Sequence, residues 1–215
     1  MASVTVKDVA KLAGVSTATV SRVINHDPRI SAKTRERVLK SIKELDYRIN
    51  SIARSLKTNR TYTIGFICPE ISNDFFMGIA KGVEDELRKQ GYSVIICNSN
   101  ENVEEEKARI KLLCEKCVDG IIIIPASSEG SHYNRLKDDG MPAVLIDRLV
   151  NGFTADAVLV DNINGSYSVV EHLANAGIRR IAFIGGDMRL TSAKERYEGY
   201  TRALKDFCIP VENDI

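Results

Sequence analysis

The sequence predicts two unlike parts: an N-terminal all-α head built on a helix-turn-helix, then an α/β body with a parallel sheet and helices on both faces. Three observations predict this. Charge is divided along the chain: residues 1–60 carry 13 Lys/Arg and 5 Asp/Glu, residues 61–215 carry 17 and 24, and the net +1 conceals a basic module on a mildly acidic body. Short amphipathic helical patterns fill the first 45 or so residues. From residue 62 onward, apolar runs of strand length alternate with helical patterns, which is how a parallel sheet with covering helices reads.

In the head, Thr5 stands as the cap of a first helix whose apolar positions are Val6, Val9, Ala10 and Ala13, and Gly14 ends it. Ser16 or Thr17 caps a second helix with Val20, Val23 and Ile24 turned inward, and Ser31 caps a third with Val38, Leu39, Ile42 and Leu45 inward. A link of about three residues around Gly14 makes the first two helices cross steeply, as in a helix-turn-helix.

The outer face of the second helix gives this head a task. Thr17, Ala18, Ser21 and Arg22 fall together on it, small except for one arginine. Small side chains let a helix approach the floor of the DNA major groove, where a methyl group meets thymine, a hydroxyl bonds either partner and an arginine clasps guanine. Ser16, Thr19, Ser21 and Asn25 are sized for phosphate oxygens on the groove walls, and His26 lies beside them. A plain solvated face would not explain the lack of Lys and Glu there.

In the body, strand-like runs occur at 62–69, 92–99, 120–126, 143–148, 157–162 and 180–186, with helical patterns at 75–90, 103–117, 130–139, 163–176 and 192–207. Their continuous apolarity predicts strands buried on both sides. In such folds ligands sit beyond the carboxyl ends of the strands. The residues there include Ser72, Asn73, Phe75, Phe76, Asn98, Ser99, Ser127, Ser128, Asp147, Arg148, Asp161, Asn162, Ser192 and Arg196. Aromatic rings beside convergent carboxylate, amide and guanidinium groups suit a polyhydroxylated ligand. Phe75 and Phe76 also read as core at a helix start, and Asp161 and Asn162 as caps.

Other chemistry is not signalled. The pair Cys114 and Cys117 has metal or redox spacing but lacks a second pair, and His26, His132 and His172 are scattered. Neither a phosphate loop nor a nucleophile–base set is present, so no catalytic residue, metal or cofactor is expected. Five cysteines, an odd number, read as reduced thiols. No apolar run reaches membrane-spanning length and the N-terminus lacks the apolar core of a signal peptide, which predicts a cytoplasmic protein with no membrane partner.

The stretches "TVKDVAKLAGVSTATVSRVIN", "ISAKTRERVLKSIKELDYRIN" and "SIARSLKTNRTYTIGFICPEISNDFFMGIAKGVEDEL" resemble the LacI/GalR family of bacterial transcriptional regulators, with Ile49 where the family commonly has proline. The resemblance implies a helix-turn-helix headpiece at 1–49, a hinge helix and linker at 50–61, the first lobe of a periplasmic-binding-protein-like sensor at 62–161 and an incomplete second lobe at 162–215. It implies a repressor that binds a palindromic operator on double-stranded DNA as a homodimer at the bacterial nucleoid, tuned by a small effector, a sugar or related metabolite. The DNA contacts it implies are Thr5, Ser16, Thr17, Ala18, Thr19, Ser21, Arg22, Asn25, His26, Ser31, Thr34, Tyr47, Asn50, Ala53 and Leu56, the last as a minor-groove wedge on a hinge helix too short to stand alone. The effector contacts expected are Phe75, Phe76, Ser127, Asp147, Arg148, Asn162, Ser192 and Arg196, of which Phe76, Asp147, Ser192 and Arg196 best match positions that face effector in the family. The alternative reading is a DNA-binding fragment without effector control. Residues 162–215, with one strand and two helices, are expected to expose apolar surface.

Overall fold

The computed structural model describes residues 4–24, 27–47 and 60–211. The chain divides into two compact units, residues 1–59 and 60–215.

The first unit contains α1 (Val6–Ala13), α2 (Thr17–Ile24) and α3 (Ala32–Glu44). The Asp8 carboxylate accepts from both the backbone N–H and the hydroxyl of Thr5, at 2.8 and 2.7 Å, which fixes the start of α1. Gly14 ends it with φ at 59°, a left-handed conformation that suits glycine, and the Val15 N–H reaches back to the Ala10 carbonyl. Ser16, not Thr17, caps α2: its Oγ accepts from the Thr19 N–H at 3.1 Å. Ser31 caps α3 through the Thr34 N–H. Val9, Ala10, Ala13, Val20, Val23 and Val38 close one core, with Ile42, Leu45 and Tyr47 packed against it. Leu39, expected inward, is half exposed. One residue is a 100° step on a helix, so the stripe that buries Val38 continues through Ser41, Ile42 and Leu45 and leaves Leu39 outside.

The second unit holds a parallel sheet in the order β2-β1-β3-β4-β5, made of β1 (Thr63–Cys68), β2 (Ser93–Asn98), β3 (Gly120–Ile123), β4 (Ala143–Ile146) and β5 (Asp156–Val158). The alternation of side chains along the strands divides the core into two layers. Phe66, Cys68 and Ile124 face α4 (Asp74–Lys89) through Phe76 and Ala80. Ile67, Ile121, Ile123 and Leu145 face α5 (Val103–Glu115) through Ile110 and Leu113, and α6 (Asn134–Asp138) through Leu136. Helices therefore cover both faces, as expected of strands this apolar. The single helix expected at 130–139 is a 3₁₀ turn, Ser131–Tyr133, followed by the short α6.

Two helices follow, α7 (Asn162–Asn175) and α8 (Thr191–Asp206), with Val170, Ala174, Tyr200, Ala203 and Leu204 between them. Gly199 allows them to touch: a Cβ there would lie 2.1 Å from the carbonyl oxygen of Ile163. The strand expected at 180–186 does not form. An apolar run becomes a strand only by pairing its backbone with a neighbour, and none of the described residues supplies one. As expected, apolar surface is open within 162–215: Val169 and Ile184 are both more than half exposed.

Candidate DNA-reading helix and effector cleft

Burial of Val20 and Val23 turns the opposite face of α2 outward. Thr17, Ala18 and Arg22 are exposed on it, Ser16 is exposed at its start, and Thr19 and Ser21 are half-buried. The hydroxyls of Ser16 and Thr19 lie 3.0 Å apart, so they form a local cap. Ser31 and Thr34 make the same arrangement on α3, Thr5 is engaged with Asp8, and Tyr47 packs on the core of the head. The turn after α2 is stiffened by Asp27, which takes a bidentate bond from Arg29 at 2.9 and 2.7 Å and whose carbonyl accepts from Arg35. The Arg29 guanidinium holds the Asp27 carboxyl well below the usual carboxylate range. Asn25, His26, Asn50, Ala53 and Leu56 lie outside the described residues.

A cleft of about 490 Å³ opens at the carboxyl ends of β1, β2 and β4. Phe75 and Phe76 reach it from the start of α4, Asp147 and Arg148 from the end of β4, and Ser192 and Arg196 from α8. Six of the eight residues expected at an effector thus share one cavity. Asn73, whose side chain caps α4 through the Phe75 N–H, lines it as well. The rings of Phe75 and Phe76 meet edge to face, 5.5 Å between centroids, with Phe75 half exposed to the cleft.

Arg148 is the most constrained group of the wall. It donates to both carboxylate oxygens of Glu101 at 2.8 and 3.0 Å and to the Pro125 carbonyl at 2.8 Å, and its guanidinium lies over the Phe76 ring at 5.8 Å. Asp147 is buried beside it with φ at 66° and its Oδ2 lies 3.5 Å from Arg148 Nε; among the described residues, Asp147 Oδ1 and Arg148 Nε have no hydrogen-bond partner. Asp147 Oδ1, buried and without a hydrogen bond among the described residues, can accept from a group such as a hydroxyl. On the facing wall, Arg189 holds Asp187 down at about 2 through its side-chain hydrogen bonds.

Two expected residues stand elsewhere. Ser127 lines a separate cavity of about 600 Å³ with His132 and Lys194, and its hydroxyl accepts from the Glu129 N–H. Asn162 sits behind the cleft, where its amide oxygen accepts from Arg196 Nε at 2.8 Å and its amide nitrogen donates to Glu195; it aims Arg196 instead of facing the cavity. Asp161 is a helix cap, accepting from the Asn164 N–H. Asn98 bonds Asn100, Ser99 bonds the Cys68 carbonyl, and Ser128 donates to the Arg189 carbonyl at 2.6 Å.

Sequence reasoning missed Glu101, Phe183 and Asp187 on the cleft wall. Glu101 could have been found, since it follows β2 at the carboxyl end. Glu106 was also missed. Wholly buried, its carboxylate accepts from the Ala126 N–H at 2.8 Å and the Tyr133 hydroxyl at 2.6 Å, with His132 Nε2 at 2.8 Å. It thereby pins the loop whose Pro125 carbonyl holds Arg148. Burial, then the Glu106 charge, pushes the Tyr133 hydroxyl far up. Among the described residues, no group of three or more His, Cys, Asp or Glu side chains is placed to hold a metal.

A helix-turn-helix unit joined to a periplasmic-binding-protein-like domain defines the class. Residues 5–50 match the bacterial regulatory proteins of the lacI family, and residues 61–215 match the periplasmic binding proteins and sugar binding domain of the same family, so the chain belongs to the LacI family. It is 40% identical over 211 residues to the HTH-type transcriptional regulator RegA of Clostridium saccharobutylicum, covering 98% of this chain and 64% of that protein. It is 40% identical over 202 residues to the ribose operon repressor of Halalkalibacterium halodurans, covering 94% and 60%. The crystal structure of the lac repressor dimer bound to operator and the anti-inducer ONPF superposes with a TM-score of 0.84 at 28% identity, covering 97% of this chain and 64% of that one. The chain thus spans less than two thirds of the length of these relatives. No helix among the described residues is long and apolar enough to cross a membrane.

Proposed function

We propose that the chain is a sequence-specific, DNA-binding transcriptional regulator, a repressor, that acts in the bacterial cytoplasm as a dimer on a palindromic operator and is tuned by a small polyhydroxylated effector. The observation that carries this reading is the outward face of α2, Thr17 and Ala18 with Arg22, on a helix whose opposite face is buried. Such a face fits base edges in the major groove, with Arg22 suited to guanine. One small module binds DNA weakly, so two on a symmetric site are needed for specific affinity. In this reading residues 1–49 form the headpiece and 50–61 the linker, in which Asn50, Ala53 and Leu56 meet the minor groove; residues 62–161 form the first lobe of the sensor and 162–215 part of the second. The Asp147 oxygen left without a hydrogen bond among the described residues, beside Phe75 and Phe76, favours a sugar hydroxyl over an apolar ligand.

A salt titration of binding to a random duplex is the first test: no binding at low salt removes DNA reading altogether. Arg22→Ala should then lose about 1–3 kcal/mol of discrimination at one base pair of each half-site. Equal weakening on every sequence would make Arg22 a phosphate contact instead.

A second reading, DNA binding without effector control, is favoured by one observation. Ile184, on the far wall of the cleft, is 98% exposed. A wall this open gives a ligand little to close against. Release of the operator duplex by a panel of monosaccharides separates the two readings: release supports the first, and a uniform lack of it supports the second.

A further inference from the structure

The chain enters the body through Thr61 and Tyr62, immediately before β1, and the carboxylate of Asp119 grips its backbone there. Asp119, in the turn between α5 and β3, accepts two consecutive backbone N–H groups, that of Thr61 on Oδ1 at 2.7 Å and that of Tyr62 on Oδ2 at 2.9 Å. The Thr61 hydroxyl lies 2.8 Å from the Cys117 carbonyl oxygen and 3.0 Å from Asp119 Oδ1. The backbone of the same aspartate closes the arrangement, its N–H donating to the Thr63 carbonyl at 2.8 Å. Tyr62 is itself fixed on its other side: its carbonyl accepts from the Ser93 N–H and its ring lies 5.4 Å from that of Tyr92. It takes φ at 53°, a conformation that an aromatic residue adopts only when its surroundings impose it.

The chemistry requires a carboxylate. Both oxygens are used as acceptors toward main-chain donors, so an asparagine of the same shape would set an NH₂ group against one N–H. The location matters too. β1 pairs with β2 on one side and β3 on the other, so it cannot shift without carrying the sheet. Its six residues span roughly 20 Å. The Asp119 clamp sits at its start, and the cleft residues Asn73 and Phe76 follow its end.

We propose that Asp119 is a positioning residue: it fixes the point and direction at which the chain coming from the DNA-binding unit joins the sheet, so that a shift of the sheet under an occupied cleft is passed along the chain instead of being absorbed in a loose joint. This rests on the regulator reading above.

The test compares the full chain with its Asp119→Asn and Thr61→Val variants. In Asp119→Asn, trypsin should cut after Arg60 about tenfold faster and the Thr61 and Tyr62 amides should exchange faster, because opening of this joint no longer breaks two charge-assisted bonds. Cys68 and Cys97 should keep their protection from iodoacetamide, which reports a folded body. Thr61→Val should change cleavage in the same direction by less. Affinity for a duplex that the wild-type chain enriches from a random library should fall about tenfold, while affinity for random duplex at low salt, a property of the head alone, stays at the wild-type value.

Unchanged cleavage and exchange in a folded Asp119→Asn chain overturns the clamp. An opened joint with undiminished affinity for the enriched duplex overturns the positioning role. If Asp119→Asn loses its cysteine protection, Thr61→Val decides, and wild-type cleavage there overturns the clamp. A wild-type chain that binds neither duplex overturns the regulator reading and the positioning role with it, and the cleavage results then stand for the joint alone.

Discussion

Residues 120–124, Gly-Ile-Ile-Ile-Ile, and residues 180–184, Arg-Ile-Ala-Phe-Ile, have nearly the same texture and opposite fates. The first segment supplies β3, hydrogen-bonded to β1 and β4, with Ile121, Ile123 and Ile124 at 2% exposure or less. The second makes no strand; its Phe183 ring packs on Tyr197 and Tyr200 and Ile184 stands in solvent. The contrast separates two conditions that the sequence merges. Apolarity makes burial favourable, but a backbone run also needs neighbouring strands for its N–H and C=O groups, and among the described residues only the first segment has them.

Four substitutions break or sharpen this contrast, given from the largest expected effect. Ile123→Lys places an unpaired charge in a sheet covered on both faces and should cost more than about 4 kcal/mol, seen as a collapse of the urea midpoint. Cys68 offers a second readout, since burial pushes its thiol up to about 11 and alkylation at neutral pH should stay slow until the lobe opens. Glu106→Ala comes next, at about 3 kcal/mol, because it leaves the buried Ala126 N–H and Tyr133 hydroxyl without an acceptor. Under the effector reading proposed above, its measurable mark beyond stability is a weaker effector response, through the loop that holds Arg148.

Gly199→Ala should cost about 2 kcal/mol by forcing α7 and α8 apart. It should raise protease sensitivity within 162–211 and leave Cys68 protected; a matching loss in both regions would mean the two sides fold as one. Ile184→Lys should be smallest, under about 0.5 kcal/mol, since the side chain has almost nothing to lose. A cost near that of Ile123→Lys would show that segment 180–184 is buried in solution, and the contrast would vanish.

These two segments also show what could be read from sequence. Strands β1 to β4 and helices α1 to α5 were legible because local pattern and tertiary partners agree there. The strand at 180–186 was misread because pairing is a property of the neighbour, which an apolar run does not encode. Leu39 was misread because two adjacent apolar residues cannot both sit at the centre of a helical stripe. At the cleft, the residues that follow strands β1 and β4 were placed by position alone. Ser127 and Asn162 follow the same rule yet point elsewhere, since the turn after a strand, not the strand, aims the side chain. Glu106 was invisible for a different reason: among three consecutive glutamates at 104–106, nothing in sequence marks the one that is buried.

Asp147 carries a restriction of another kind. Its left-handed backbone favours Gly, Asn and Asp over other residue types, although Glu101 on the same wall and Tyr62 adopt it as well. Glycine would relax the turn and remove the side chain from the cleft, and asparagine would keep the shape and surrender the charge. The backbone has therefore narrowed the side-chain alphabet at this wall before any ligand is considered. Under the effector reading proposed above, variation that retunes the cleft has its freedom at Phe75, Ser192 and Arg196, around a point where the polypeptide itself biases the choice.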